Sequence, residues 1–144
     1  MRHDLIVSRS VIINAGIDQV WEALTNPEII KQYLFGTETI TDWKAGSEII
    51  FQGEYQGSKY KDRGYILKNI PNTLLSYSYW SGFSGMEDNS ENYSTVTYTI
   101  KNLGLNQTEL NWTQTGFANE QTHQHSEKGM DEFLASIKNI IEKL

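Results

Sequence analysis

The chain contains no cysteine. That single absence excludes a disulfide framework, a thiolate metal site and a thiol nucleophile. No apolar run approaches the roughly 20 residues needed to span a bilayer. Met1-Arg2-His3-Asp4 leads into a short strand-like run, not into the long apolar segment of a secretory leader. Basic residues are also scarce: 12 Lys and Arg face 18 Asp and Glu, a formal charge of −6. A phosphate-backbone binder needs a clustered basic face, so nucleic acid is not an expected partner. Catalytic signatures are missing as well, with no G-x-S-x-G, no P-loop and no dinucleotide fingerprint. The expectation is a soluble cytoplasmic protein with no metal, no cofactor and no membrane insertion. At 144 residues it reads as one domain, 1–144, able to bury a core without staples.

Aromatic residues, by contrast, are abundant: four Trp, eight Tyr and five Phe. Their placement follows from the periodicity. At the C-terminal end, Ser126 to Leu144 carries Met130, Phe133, Leu134, Ile137, Ile141 and Leu144 at spacings of three and four, which predicts a helix with one buried face. At about 1.5 Å per residue this rod is about 28 Å long, enough to cross a small domain. No proline interrupts it. Gly129 is its weak point, and a glycine there would let the helix approach a sheet closely or leave space for something between them.

The rest reads mostly as sheet. Leu5 to Ala15 is a first strand, followed by a short helix that Asp18 can cap and a second from Glu28 to about Tyr33, opened by Pro27. From Thr37 to Thr115 the period is two. Strands are expected at 37–43, 47–55, 60–70, 74–80, 93–101 and 107–115, with turns at Lys44-Ala45-Gly46, Pro71-Asn72 and 102–106. Ser81 to Asn92 is a glycine-rich, acidic loop, solvated or lying over one mouth. Phe117 to His125 is a polar connection. Such alternation means an antiparallel sheet with one wet and one covered face. The fold class is therefore α+β: a curved antiparallel sheet of six to seven strands wrapped around one long C-terminal helix, with two short helices after strand 1.

Particular residues strengthen that order. Val20-Trp21-Glu22-Ala23-Leu24-Thr25-Asn26-Pro27-Glu28 resembles the V-W-x-A-L-T-x-P-E segment of the family named after the activator of Hsp90 ATPase (AHSA1-like), in the START/Bet v 1-like (SRPBCC, helix-grip) superfamily. Lys44-Ala45-Gly46 before Ile49 and Phe51 is similar to its next segment, as are Gly64 and Ile66 leading into Pro71 and Leu75. Glu127-Lys128-Gly129-Met130 is similar to its helix, although members usually have Trp where this chain has Met130. The resemblance implies an internal cavity between sheet and long helix, which the superfamily uses for lipids, hormones and polyketides. The cochaperones that name the family carry an additional N-terminal domain with no counterpart in these residues, so Hsp90 regulation by this chain alone is not expected.

On this reading the cavity is lined from every element. Tyr33 and Phe35 come from the end of the second helix, Trp43 and Phe51 from the first strands after it. Tyr77 and Tyr79 share one strand face, Tyr98 lies on the next strand, and Trp112 and Gln114 on the last. Phe117 closes one end, and Met130 and Phe133 project from the helix. A packed core is the competing interpretation of the same set. His123 and His125 form an H-x-H pair near Glu120 and Glu127, read as part of a solvated polar connection rather than as a metal site. Asp62 falls on the inward parity of Tyr60, Gly64 and Ile66, but the weak alternation there favours a solvated strand end.

The expected function is binding of a small, largely hydrophobic molecule in the cavity, with a stress-linked role, and not enzymatic activity. A cofactorless cyclase-like enzyme using the same cavity is the first alternative. A protein-binding or chaperone-associated module is the second.

Overall fold

A computed structural model describes all residues, 1–144. Seven strands form one antiparallel sheet: β1 (Arg2–Ile13), β2 (Glu38–Ile40), β3 (Glu48–Tyr55), β4 (Ser58–Ile70), β5 (Leu74–Tyr79), β6 (Ser94–Gly104) and β7 (Gln107–Phe117). Their order is β1-β7-β6-β5-β4-β3-β2. β2 to β7 is thus an uninterrupted meander, and the first strand closes the far edge by pairing with the last. Helices α1 (Ile17–Thr25) and α2 (Pro27–Tyr33) fill the gap between β1 and β2, and α3 (Glu120–Glu142) follows the sheet. The long helix, the two short ones and the antiparallel sheet are all present in the expected order.

The inward parities of the well-alternating strands hold. Ile49 and Phe51, Leu75, Val96, Tyr98 and Ile100, and Leu110 and Trp112 are all buried. The main core joins Val7 and Ile13 of β1 to Val20 and Leu24 of α1 and to Leu134, Ile137 and Ile141 of α3. Two buried hydrogen bonds fix the short helices to this core. The Tyr33 hydroxyl donates to the Ala23 carbonyl at 2.9 Å, and the Thr108 hydroxyl to the Ala15 carbonyl at 2.9 Å. Each satisfies a carbonyl that would otherwise be costly to bury.

Several boundaries differ from expectation. α3 starts at Glu120, so the polar connection around His123 and His125 is helical rather than loop. A capping box causes this: Asn119 accepts from the Thr122 amide at 2.9 Å, and the Thr122 hydroxyl accepts from the Asn119 amide at 3.3 Å. The first turns it stabilises are polar, so hydrophobic spacing does not reveal them. Asp18 does not cap α1, whose N-cap is Gly16. It sits in the first turn and accepts from the Asn72 side chain at 2.8 Å. Gly129 is exposed and has open space around its missing Cβ, so it neither brings α3 closer to the sheet nor borders the interior. Leu144 lies past the helix and is exposed.

The glycine that matters is Gly64. A Cβ there would stand 1.6 Å from the Ser78 carbonyl oxygen of β5. β4 is also irregular between Ile66 and Lys68, and its N-terminal half pairs with β3 while its C-terminal half pairs with β5. The backbone contact at Gly64 is therefore where the sheet turns sharply. Gly64→Ala should destabilise by about 2 kcal/mol or more, because the clash is with backbone and cannot be relieved by a rotamer. Gly129→Ala should instead stabilise by about 1 kcal/mol. Urea denaturation of both variants checks the contrast, and equal behaviour would contradict the assignment.

Candidate ligand cavity

α3 packs chiefly against β1 and reaches only lightly onto β7. Its apolar face is thus spent on one side of the sheet. On the other side Ile49, Phe51 and Ile66 form a small separate cluster. Between the two clusters lies a cavity of about 530 Å³, within the range of small-molecule sites.

Its floor is Val96, Tyr98, Trp112 and Gln114 from β6 and β7, and its roof is Met130 and Phe133 from α3. Phe51, Tyr77 and Tyr79 form the side wall, with Phe51 packed at 5.5 Å against the Tyr77 ring and at 5.9 Å against the Tyr79 ring. Tyr33 is not in the cavity wall. It lies behind, edge-on to Phe133 at 6.3 Å, and with Trp43 lines a minor gap of about 10 Å³. Trp43 has a left-handed backbone (φ 66°), costly for a bulky side chain. The Asn69 amide holds it by donating to its carbonyl at 2.9 Å. Phe117 is at the far end, edge-on to His123 at 5.1 Å. The structure thus brings Phe35, Phe51, Tyr77, Tyr79, Tyr98, Trp112, Gln114, Met130 and Phe133 around one space. It leaves Tyr33, Trp43 and Phe117 in the packed surroundings.

Three aromatic wall positions were not among the expected lining residues. Tyr60 lies over Gly53, where any Cβ would stand 2.6 Å from its hydroxyl oxygen, and that hydroxyl hydrogen-bonds Thr37 at 2.5 Å. Tyr55 continues the inward parity of Phe51 but projects past the covered part of the sheet, and is 64% exposed at the mouth. Phe83, from the acidic loop, joins it there and packs at 6.0 Å against Tyr60. Tyr55 and Tyr60 lie on inward parities but flank a hairpin tip beyond the covered sheet, and the loop that carries Phe83 has no periodicity.

Asp62 corrects the expectation of a solvated strand end. It is 8% exposed and lines the cavity. One carboxylate oxygen accepts from the Tyr79 hydroxyl at 2.5 Å, the other from the Gly82 amide at 2.9 Å. The parity reading was therefore the better guide, and the poor alternation of β4 comes from Asp62 and Gly64 on the inner face and Tyr65 and Leu67 on the outer one. Arg63 pairs with Glu48 and, at 3.3 Å, with Asp88. This ties the acidic loop to the sheet and leaves its Gly82–Phe83 end at the mouth. His123 donates from Nε2 to the Ile6 carbonyl at 2.9 Å, with Nδ1 3.1 Å from Glu127, and His125 is exposed.

Four buried phenols in and behind the wall are shifted upward. Burial raises Tyr33 and Tyr77 well above the ordinary value of 10.0 and also raises Tyr98. Burial and then the adjacent Asp62 carboxylate raise Tyr79. All four remain neutral hydrogen-bonding groups at any physiological pH.

Comparison with known proteins was consistent with this geometry. The sequence matches the family described as activator of Hsp90 ATPase homolog 1-like protein over residues 14–142. No curated protein sequence matches at a significant level. Among solved structures, ChR145 from Cytophaga hutchinsonii is 41% identical, covering 99% of this chain and 97% of that one, with a TM-score of 0.83. The Aha1 dimer from Colwellia psychrerythraea is 17% identical over 95% and 96% of the two chains, with a TM-score of 0.72. DynU16, from the dynemicin biosynthetic locus, is 18% identical over 96% of this chain and 48% of its own, with a TM-score of 0.76. The last two show likeness of fold alone.

Two measurements follow from the geometry. Ile137 is fully buried and Phe133 only partly so, against empty space. Ile137→Ala should cost about 2–5 kcal/mol. Phe133→Ala should cost less despite removing the larger side chain, and denaturation midpoints give the order. In an alkaline spectrophotometric titration, the folded protein should fall short of the eight-tyrosine plateau by at least the four raised phenols. The unfolded chain releases these protons near pH 10 while the folded one retains them. Stability should therefore be present in full below pH 10 and decline above it. A full phenolate signal without loss of structure would contradict the burial.

Proposed function

We propose, from the premise that the chain belongs to the activator of Hsp90 ATPase homolog 1-like family, that it binds a small, mostly apolar molecule between its sheet and its C-terminal helix. The observation that carries this reading is a cavity of about 530 Å³ with mostly hydrophobic walls, contributed by the sheet on one side and by Met130 and Phe133 of α3 on the other. Interiors normally pack to near-crystalline density, so apolar walls left unpacked and open to water at the mouth are retained at a stability cost. Occupation by a ligand offsets that cost.

The mouth supports the same reading. Phe35, Tyr55 and Phe83 are 88%, 64% and 62% exposed, and all three border the cavity. Exposed aromatic rings gathered at one opening suit an apolar guest that passes them on entry. Phe35 is also held at φ 54°, a conformation disfavoured for an aromatic residue.

Trp112 gives the test. It is 4% exposed and its indole borders the cavity floor. Titration with neutral apolar probes such as 1-naphthalenemethanol should change tryptophan fluorescence saturably, and Trp112→Phe should remove most of that change. Micromolar affinity corresponds to about −8 kcal/mol, within reach of such walls. No saturable change with any neutral apolar probe, together with unaltered melting temperature, would refute the binding reading.

A further inference from the structure

We infer that the cavity selects guests carrying a protonated amine on an aromatic or otherwise apolar body, and that Asp62 recognises the charge. The inference rests on the reading of the cavity as a binding site and names the ligand class that site would take.

Asp62 is a buried carboxylate without a cationic partner. Both of its contacts, the Tyr79 hydroxyl and the Gly82 amide, are neutral donors. Its chain neighbour Arg63 alternates to the opposite face, where Glu48 and Asp88 engage it. Lys59 and Lys61, which alternate with Tyr60 and Asp62 along β4, line a polar hollow that adjoins the cavity rim at Glu54 and Tyr60 but does not include Asp62. Among the 17 residues lining the cavity there is no lysine, arginine or histidine. The only other charged residue among them is Glu54, a second carboxylate, exposed at the rim.

A buried carboxylate with no counter-charge is expensive, and a carboxylate has about four acceptor positions, of which two are filled here. An ammonium group entering the cavity would supply both the missing charge and further donors. The walls suit the same group. Phe51 and Tyr79 flank Asp62 from one side and the Tyr60–Phe83 pair lies at the mouth, and aromatic faces attract ammonium ions. A guest carrying a carboxylate, fatty acids included, would meet Asp62 with no cation to compensate, and like charges in a poorly screened interior repel strongly.

Three probes of one shape separate the possibilities: 1-naphthylmethylamine, 1-naphthalenemethanol and 1-naphthoate, titrated at neutral pH by fluorescence or calorimetry. The amine should bind at least about tenfold more tightly than the carboxylate, with the alcohol between them. Asp62→Asn keeps the shape and removes the charge, so it should bring the amine and the carboxylate within about threefold of each other. Tight binding of the alcohol with equal or tighter binding of the carboxylate would overturn charge selection while leaving the cavity reading intact. An undiminished amine preference in Asp62→Asn would overturn the role of Asp62. Failure of all three probes would overturn both readings. Should Asp62→Asn not fold, the ranking on the unsubstituted protein still decides.

Discussion

One helix cannot cover seven strands. Strands lie about 4.8 Å apart, so a seven-stranded sheet is about 30 Å wide, while a helix with its side chains spans only about 10–12 Å. The structure resolves this mismatch asymmetrically. α3 is committed to β1 at the edge, where Arg9 lies 3.4 Å from Glu127 and 3.6 Å from Asp131, and Glu142 accepts from the Asn14 amide at 2.7 Å. The opposite edge has to reach the helix by curling, and the sharp turn at Gly64 supplies part of that curl. α1 and α2 cover what remains. The cavity is the residue of this geometry: the place where the curled half of the sheet comes near the helix without touching it.

The architecture was legible in the sequence because each element that packs has a clean period. The three-and-four spacing from Met130 to Ile141 specifies the buried face of α3, and the alternation in 96–100 and 110–114 specifies the floor. Legibility failed wherever the determinant was a local polar contact or a neighbour distant in sequence. The first turns of α3 depend on Asn119 and Thr122, not on apolar spacing. The inward turn of Asp62 depends on the Tyr79 hydroxyl and on an amide in the following loop, neither of which leaves a mark on β4 itself. Among the wall residues, those on regular strand faces could be chosen from parity. Tyr33 and Trp43 satisfy the same parity and apolarity yet sit one layer further back. Sequence spacing gives the face of an element and says nothing of depth.

Polarity inside the cavity is unevenly distributed, and this sets what the space can do chemically. The floor and roof offer apolar surface, with Gln114 contributing an amide whose donor is directed to the Gly116 carbonyl at 3.1 Å. The wall near the mouth holds the only buried carboxylate of the lining. A guest would thus be oriented, with its apolar body inward and a hydrogen-bond donor toward Asp62. Burial holds the Tyr77, Tyr79 and Tyr98 phenols protonated, so they serve as hydrogen-bonding groups.

A void lined by large flexible side chains ordinarily closes, because collapse regains dispersion contacts. Here three of the surrounding rings are tied at their polar ends. Tyr79 is held by Asp62, Tyr60 by Thr37, and Tyr33, which backs Phe133, by the Ala23 carbonyl. Moving any of these rings inward would leave a hydroxyl or a carboxylate unsatisfied, at a cost of about 1–3 kcal/mol for each buried group. The gain from collapse would have to exceed several such losses together. Tyrosine rather than phenylalanine at these positions therefore opposes closure of the walls. The same hydroxyls place polarity at the edge of the cavity and leave its centre apolar. Met130, unbranched and without a polar anchor, is the wall residue freest to adjust to the outline of a guest.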